Sequence, residues 1–321
     1  MNESEIFQLL EQYDIHPNER LGQHILIDSL WLNYLASQAD PDAHVIEIGA
    51  GPGNLTERIA TVAKSVTAIE LDRRYEPMLV DLQRQHSNIT VIFGDALNLN
   101  FRQIHKKSDL TLQVIANIPY HISEPLMKKF TKLPIENAVI TVGDKLSVTL
   151  RVTNPSSIDF TKLSLLALGF FEIDFLAEIP KSAFYPVPRT ESHIIRITPK
   201  MKAELSNPGV RVIQQLFING ENSSVENIIR AALQGGVFDQ RIRDKDERNR
   251  HERRETRKSL EVMRRGYIAS RDLSQENRQG VMDRDPLLLM YIPEQIRKSR
   301  FSKLNNDELS ILTRAIFEAY S

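Results

Sequence analysis

The chain has 321 residues, and its 41 Lys and Arg against 42 Asp and Glu leave a net charge of -1. That length points to two domains rather than one small module, and the even charge excludes a protein basic over its whole surface while allowing a local basic face. The chain has no cysteine, which rules out disulfides, cysteine-ligated zinc, iron–sulfur clusters and a thiol nucleophile.

Residues 1–43 read as a helical segment, with apolar residues at helical spacing through Ile6, Leu9 and Leu10 and again around Leu30, Trp31, Tyr34 and Leu35. The opening MNESEIFQLLEQ is acidic and amphipathic, so it reads as neither signal nor transit peptide and predicts a cytoplasmic protein. No apolar run approaches the roughly 20 residues that span a bilayer. From residue 44 to about 142 short apolar strands alternate with helical stretches. The strands are HVIEIG (44–49), VTAIEL (66–71), ITVIFG (89–94), TLQVIA (111–116) and NAVITV (137–142); helices are expected over 54–63 and from Arg73 and Ser123. This alternation predicts an α/β fold, a parallel sheet covered on both faces. Ser123 reads as a helix N-cap, with Glu124 and Pro125 in the first turn. A helix and two further strands, FEIDFLAEI and ESHIIRI, are expected over 161–197, with Phe170, Phe171 and Phe175 in the core. After Pro199 the pattern turns helical. Three parts result: a helical segment 1–43, an α/β domain 44–199, and a helical domain 200–321.

The first strand runs into Gly49-Ala50-Gly51-Pro52-Gly53, which holds three of the chain's 13 glycines. Glycine lets backbone turn sharply and approach a ligand closely, and the helix that follows presents free N–H groups. The dinucleotide fingerprint needs G-x-G-x-x-G. Here the spacing is G-x-G-x-G, with Asn54 in the last glycine's place, which argues against NAD and FAD. Glu70 ends the second strand and can accept from both hydroxyls of a ribose. Asp95, with Ala96, follows the third strand and can accept from an adenine amine. A ribose and an adenine without a pyrophosphate describe S-adenosylmethionine.

The fourth strand ends in Asn117-Ile118-Pro119-Tyr120. The lone pair of an exocyclic adenine amine is delocalised into the ring, so the amine is a poor nucleophile. Two acceptors on its N–H groups favour the tetrahedral geometry from which it attacks a methyl. The Asn117 amide oxygen and the Ile118 carbonyl can supply them, and Pro119 aims that carbonyl. Tyr120 can stack on the base. Catalysis then rests on positioning and electrostatics. His121 reads as a local packing or hydrogen-bonding residue, with lining of the site as the alternative. His105, His121, His193 and His251 are scattered, so no metal is expected.

At these residues the chain resembles the rRNA adenine dimethyltransferase family: small-subunit rRNA dimethyladenosine transferases, erythromycin-resistance rRNA methylases and a mitochondrial transcription-factor branch. LGQHIL (21–26) resembles the family's G-Q-N-F-L motif, VIEIGAGPGNLT (45–56) its cofactor loop, IELD (69–72) its ribose motif and GDAL (94–97) its adenine motif. NIPYHIS (117–123) resembles its catalytic motif and FYPVPRTES (184–192) its F-x-P-x-P-x-V-x-S signature, while RFSKLNNDELSIL (300–312) echoes the closing helix of the small-subunit branch. The resemblance implies a Rossmann-like S-adenosylmethionine-dependent methyltransferase sheet ending in an antiparallel hairpin, with a C-terminal helical domain that helps grip RNA. It implies cofactor contacts from Gln23, His24, Leu26, Gly49, Gly51, Gly53, Glu70, Asp95, Ala96 and Asn117. It implies a catalytic group of Asn117, Ile118, Pro119, Tyr120 and Phe184, in which Tyr120 and Phe184 sandwich a flipped adenine. The implied function is methylation, twice over, of adenine in small-subunit rRNA by a monomer acting on rRNA or a subunit precursor. A non-catalytic ribosome-assembly or transcription factor on the same fold is the alternative, and a small-molecule methyltransferase a third.

Three features depart from the family pattern. His24 replaces the asparagine of the first motif. Gly143-Asp144-Lys145 replaces a Q-K-E-type run, and NGENSS (219–224) replaces an RRK-type basic cluster. Residues 237–298 read as an insertion, and within it 241–270 carry eleven Lys and Arg against six Asp and Glu. That segment reads either as a solvated helix laced with i,i+4 pairs or as a polyanion contact that takes over from the lost basic cluster. On the second reading, replacing several arginines in 241–258 weakens rRNA binding and flattens its salt dependence; a titration of affinity against salt, showing both unchanged, would remove it.

Overall fold

The computed structural model describes residues 1–18, 22–105, 109–200, 207–220, 222–233 and 285–320. The arginine-rich segment, and with it most of the 237–298 insertion, lies outside the described residues.

The chain opens with α1 (Glu3–Gln12), started by a capping box between Asn2 and Glu5. Two residues follow as β1 (Ile25–Leu26), then α2 (Ser29–Ala36), capped by Asp28. The alternating region becomes β2 (Ala43–Ile48), α3 (Asn54–Ala60), β3 (Ser65–Glu70), a 3-10 turn Arg73–Tyr75, α4 (Glu76–Gln85) and β4 (Ile89–Phe93). It continues through α5 (Phe101–His105), β5 (Thr111–Ala116), a 3-10 turn Tyr120–Ile122, α6 (Ser123–Phe130), β6 (Asn137–Gly143) and α7 (Asp144–Arg151). Then come α8 (Lys162–Phe170), β7 (Phe171–Ile179), β8 (Phe184–Tyr185) and β9 (Ser192–Pro199).

Seven strands form one sheet in the order β4-β3-β2-β5-β6-β9-β7. The first five are parallel; β9 is antiparallel to both β6 and β7. Helices on both faces explain why these strands are nearly continuous apolar runs. All six residues of β2 are buried. Strand β2 has β3 on one side and β5 on the other, so the connections leave its carboxyl end in opposite directions. Such a switch point opens a crevice above the sheet. On one face Leu32 and Leu35 of α2 and Leu55 and Ile59 of α3 pack with Val45, Val66, Ile115 and Phe184. A second cluster joins Ile6 and Leu10 of α1 to Tyr75, Met78 and Leu79.

The chain divides into two compact units, Met1–Thr153 with Leu166–Met201, and Asn154–Leu165 with Lys202–Ser321. Residues 1–43 are thus part of the sheet-containing unit, because α1, β1 and α2 complete its core. The second unit takes 154–165 from before the sheet ends. It contains α9 (Pro208–Asn219), α10 (Val225–Leu233), α11 (Asp285–Met290), α12 (Glu294–Lys298) and α13 (Asn306–Tyr320). Val212, Ile213, Leu216, Ile228, Ile229, Leu309, Leu312 and Ile316 form its buried interior.

Three local expectations differ from the structure. Ser123 is the first residue of α6 rather than its cap: Ile122 holds that position, no side chain caps the helix, and the buried Ser123 hydroxyl has no partner. The 3-10 turn already delivers the chain in helical geometry, so a side-chain cap has no place to form. Phe170 and Phe175 are only half-buried, the latter with the Arg151 guanidinium 3.7 Å from its ring centroid, whereas Phe171 is buried. Strand β1 is too short for any period-2 signal to mark it; its partner is β8, through Ile25 with Tyr185 and Leu26 with Phe184.

Gly53 caps α3 at φ 89°, and a Cβ there would stand 2.9 Å from Leu82 Cδ2 of α4. Gly53→Ala combines a left-handed backbone with this overlap, for an expected cost of about 1–3 kcal/mol. Thermal unfolding at equal cofactor load checks it: an unchanged midpoint would show that the loop does not need glycine there.

Candidate active site

The carboxyl end of β2 enters the loop Gly49–Gly53. The Gly49 and Ala50 N–H groups both donate to the Ile69 carbonyl, at 2.8 and 3.2 Å, which pins the loop to β3. Gly49 and Gly51 have φ of 76° and 54°, which side-chain-bearing residues rarely adopt. A Cβ on Gly51 would meet nothing within 4 Å, because the residue faces a cavity. That cavity measures about 520 Å³ and sits at the switch point, within the range of small-molecule sites.

Glu70, at the end of β3, accepts three backbone N–H bonds: Gly51 at 2.8 Å on Oε2, and Leu71 and Asp72 at 2.9 and 2.8 Å on Oε1. Burial raises its carboxyl above the ordinary value, while these N–H groups hold it back. Asp72 is held down to about 2, chiefly by the Arg74 guanidinium, and also accepts from Gln23 Nε2 at 2.9 Å. Arg74 donates to the His16 carbonyl as well, at 3.1 Å. This network fastens the segment before β1 to the turn after β3.

Asp95 accepts from the Leu97 N–H at 2.8 Å and from Asn98 Nδ2 at 2.7 Å. Its loop is gathered by Lys129 of α6, whose Nζ donates to the carbonyls of Ala96, Leu97 and Leu99 at 2.8, 3.0 and 2.5 Å and lies 4.5 Å from the Phe101 ring centroid. Burial lowers the Lys129 ammonium, and Asp95 opposes that shift.

Asn117 follows β5. Its Nδ2 donates to the His24 carbonyl at 2.9 Å, and its Oδ1 accepts from Thr141 Oγ1 at 2.7 Å. The two bonds set which end of the amide is oxygen and aim it. The Tyr120 hydroxyl is 2.5 Å from Ser192 Oγ, and burial raises its pKa. His24 Nδ1 is 2.7 Å from the Pro186 carbonyl; in the neutral ring Nδ1 is therefore the donor and Nε2 the acceptor.

The structure brings most of the expected residues together. Gln23, His24, Leu26, Gly49, Gly51, Glu70, Asp95, Ala96, Asn117 and Pro119 all line the cavity. Tyr120 instead lines an adjoining, more open recess of about 900 Å³ with His16, Val187 and Arg189. The two spaces share Gly22, His24, Arg74 and His121 as a common wall, so they are neighbours rather than separate sites. His121 is thus a lining residue, not local packing.

Three expected residues stand apart. Gly53 lines neither space; it packs against Leu79 and Leu82. Ile118 is 2% exposed and anchors the tetrapeptide, leaving its backbone carbonyl as the relevant group. Phe184 is 1% exposed and sits among Leu26, Leu32, Val45 and Ile194 in the core. Its ring faces neither space in this arrangement.

Sequence reasoning missed Glu47, Thr141, Lys129 and Ser192. Glu47 had a readable signal, an acid inside an apolar strand. It is 1% exposed, lines the cavity, and its Oε2 has no hydrogen-bond partner. Burial pushes its carboxyl up to about 8; the neighbouring Thr56 hydroxyl opposes that rise, and Glu70 adds to it. Among the described residues no cluster of His, Asp and Glu could hold a metal ion, and no helix is long and apolar enough to cross a membrane.

A family model described as ribosomal RNA adenine dimethylase matches residues 16–263. Among curated proteins, the ribosomal RNA small subunit methyltransferase A of Alkaliphilus metalliredigens is 30% identical over 256 residues, covering 73% of this chain and 89% of that protein. The protein of the same name from Natranaerobius thermophilus is 29% identical over 251 residues, covering 70% and 82%. Among solved structures, a dimethyladenosine transferase from Plasmodium falciparum superposes with a TM-score of 0.52 at 20% identity, over 92% of this chain and 98% of that one. The 23S rRNA methyltransferase ErmE gives 0.50 at 19%, over 91% and 99%. These two establish the likeness of fold.

The folded state holds a proton on Glu47 up to about pH 8, whereas an unfolded glutamate loses it near pH 4.3. The folded state therefore binds more protons between those values, and stability from this group falls as pH rises through that window. Glu47→Gln removes the penalty. The melting midpoint of the cofactor-free variant is expected to exceed wild type by at least about 3 °C at pH 8.5 and to differ little at pH 5. Parallel pH profiles would show that Glu47 is ionised in the fold.

Proposed function

The chain belongs to the ribosomal RNA adenine dimethylase family, and on that premise we propose that it transfers methyl groups from S-adenosylmethionine to the exocyclic amine of an adenine in small-subunit rRNA, twice at the same nitrogen. The observation that carries this reading is Asn117, held between Thr141 and the His24 carbonyl on the wall of the switch-point cavity.

The cavity's residues fit this cofactor. Glu70 offers a carboxylate for the ribose hydroxyls, Asp95 an acceptor for the adenine amine, and Gly49 and Gly51 a bare backbone against which the donor can lie. The unpartnered Glu47 oxygen suits a cation; an ammonium beside it would favour the ionised carboxyl. Bound S-adenosylmethionine supplies a methyl on a positively charged sulfur. The residues of this chain do the rest by position. Thr141 occupies one lone pair of the Asn117 oxygen and leaves the other for an N–H of the target amine. The Ile118 carbonyl, aimed by Pro119 at φ -57°, takes the second N–H. The amine lone pair then points at the methyl carbon, and no strong base is required before attack; the proton shed afterwards passes to water.

The acceptor enters from the adjoining recess. Tyr120 presents its ring there, and Arg189 stands at the rim. On this reading the protein acts as a monomer in the cytoplasm on rRNA or a subunit precursor. A non-catalytic assembly factor would have no use for a fixed Asn117 beside a ribose-binding acid.

Two measurements test the reading. Incubation with labelled S-adenosylmethionine and separated ribosomal subunits, followed by mapping of the modified base, is expected to place label on an adenine of the small subunit. Label on the large subunit, or none, would overturn it. Asn117→Ala is expected to lower kcat by about 10²–10³ with cofactor affinity changed little, whereas Glu70→Ala raises the cofactor Kd at least about tenfold. Undiminished turnover in the Asn117 variant would remove its catalytic role.

A further inference from the structure

Two adjacent lysines near the end of α6 behave differently. Lys128 makes an ordinary surface pair with Glu124, at 2.7 Å and one helical turn away. Lys129 folds back onto the loop that follows β4. Its Nζ meets the carbonyls of Ala96, Leu97 and Leu99 at 2.8, 3.0 and 2.5 Å, and the ring of the buried Phe101 lies beside it, 4.5 Å to the centroid. An ammonium has three N–H donors, and here all three are spent on one short loop.

The other side of that loop carries Asp95, which with Ala96 lines the switch-point cavity. A trans peptide points its C=O and its N–H in opposite directions. The unit joining Ala96 to Leu97 gives its carbonyl to Lys129 and its N–H to a carboxylate oxygen of Asp95 at 2.8 Å. The next unit gives the Leu97 carbonyl to Lys129 and the Asn98 N–H to the Asp95 carbonyl at 2.9 Å. Asn98 Nδ2 holds the second carboxylate oxygen at 2.7 Å. Each carboxylate oxygen keeps a lone pair for a ligand, and the two peptides that set its direction are clamped from behind by one ammonium. Three carbonyl oxygens turned toward one point need donors there. With an aliphatic side chain in place of the ammonium, those peptides would turn and carry the carboxylate with them.

Resting on the S-adenosylmethionine reading of the cavity, we propose that Lys129 is a positioning residue for the donor: by clamping the peptides after Ala96 and Leu97 it aims the Asp95 carboxylate at the amine of the cofactor's adenine, and so selects a 6-aminopurine over a 6-oxopurine. A 6-oxo base would set an oxygen against the carboxylate. A site built to accept an N–H rejects such an analogue strongly only while its acceptor is held in place.

The test uses S-adenosylhomocysteine and its 6-oxo analogue S-inosylhomocysteine, which share the ribose and the amino-acid arm and differ only at the base. Titration calorimetry is expected to show wild type binding the adenosyl form at least about a hundredfold more tightly. Lys129→Met keeps an unbranched stem and removes the donors. It is expected to narrow that ratio at least about tenfold, by weakening the adenosyl form and leaving the inosyl form nearly unchanged. A ratio that stays the same, whether neither affinity moves or both fall together as for a purely structural lysine, overturns the proposal. So does a wild type that binds the two ligands equally. A second arm needs no variant: amide hydrogen exchange of the ligand-free wild type is expected to find the Leu97 and Asn98 N–H groups already protected. Free exchange at both overturns the proposal even where the variant fails to fold. Wild type that binds neither ligand would sink the S-adenosylmethionine reading itself, and this proposal with it.

Discussion

The site depends on how one amide is held. Asn117 leaves the carboxyl end of β5, and a free asparagine there could rotate and present either end to a substrate. Thr141, fully buried on the adjacent strand β6, donates to its oxygen, and the His24 carbonyl accepts from its nitrogen. The two partners come from opposite sides, one from the sheet and one from the segment that precedes it. The Asn117 oxygen is thereby fixed as an acceptor before any ligand arrives, which is the preorganisation that positional catalysis requires. The segment carrying His24 is in turn fastened by Gln23 to Asp72, and Asp72 to Arg74. A short strand of two residues, β1, completes the attachment.

Glu47, Glu70 and Asp72 all line the cavity, and their surroundings sort them. Glu70 spends both oxygens on backbone N–H groups, so its charge is stabilised by the loop that it also shapes. Asp72 is an ion-pair partner held down to about 2. Glu47 has neither kind of support and keeps a proton. Three acids near one another thus avoid mutual repulsion: one is solvated by backbone, one neutralised by arginine, and one left uncharged. A leftover buried oxygen is costly without a partner, and a cavity wall is where a ligand can repay that cost.

The α/β architecture was legible because parallel strands buried on both faces write long apolar runs into the sequence. The strands expected from the sequence and the observed β2 to β6 agree to within a residue or two at each end. The glycine loop, Glu70, Asp95 and Asn117 were legible because their chemistry follows strand ends in order. Other features were hidden for physical reasons. The burial of Phe184 with Leu26 and Val45 follows from packing between distant segments, which no local spacing encodes. Thr141 and Ser192 act by single hydroxyl contacts across strands 24 and 72 residues away in sequence, and no local spacing encodes such pairs. Ser123 looked like a cap because serine before a helix usually is one; the 3-10 turn ahead of it took that position.

The switch-point cavity and the adjoining recess share a wall, and that wall has a chemical consequence. His24 contributes its backbone carbonyl to the Asn117 nitrogen and its ring to both spaces. Any displacement of this residue would change the shape of the recess and the aim of the amide together. On the proposed function, a cofactor packed against His24 would steady the amide before the target arrives. On that function the same wall would keep two purines apart, the cofactor's adenine beside Asp95 and the target's on the Tyr120 side, so that only the methyl and the amine need to meet.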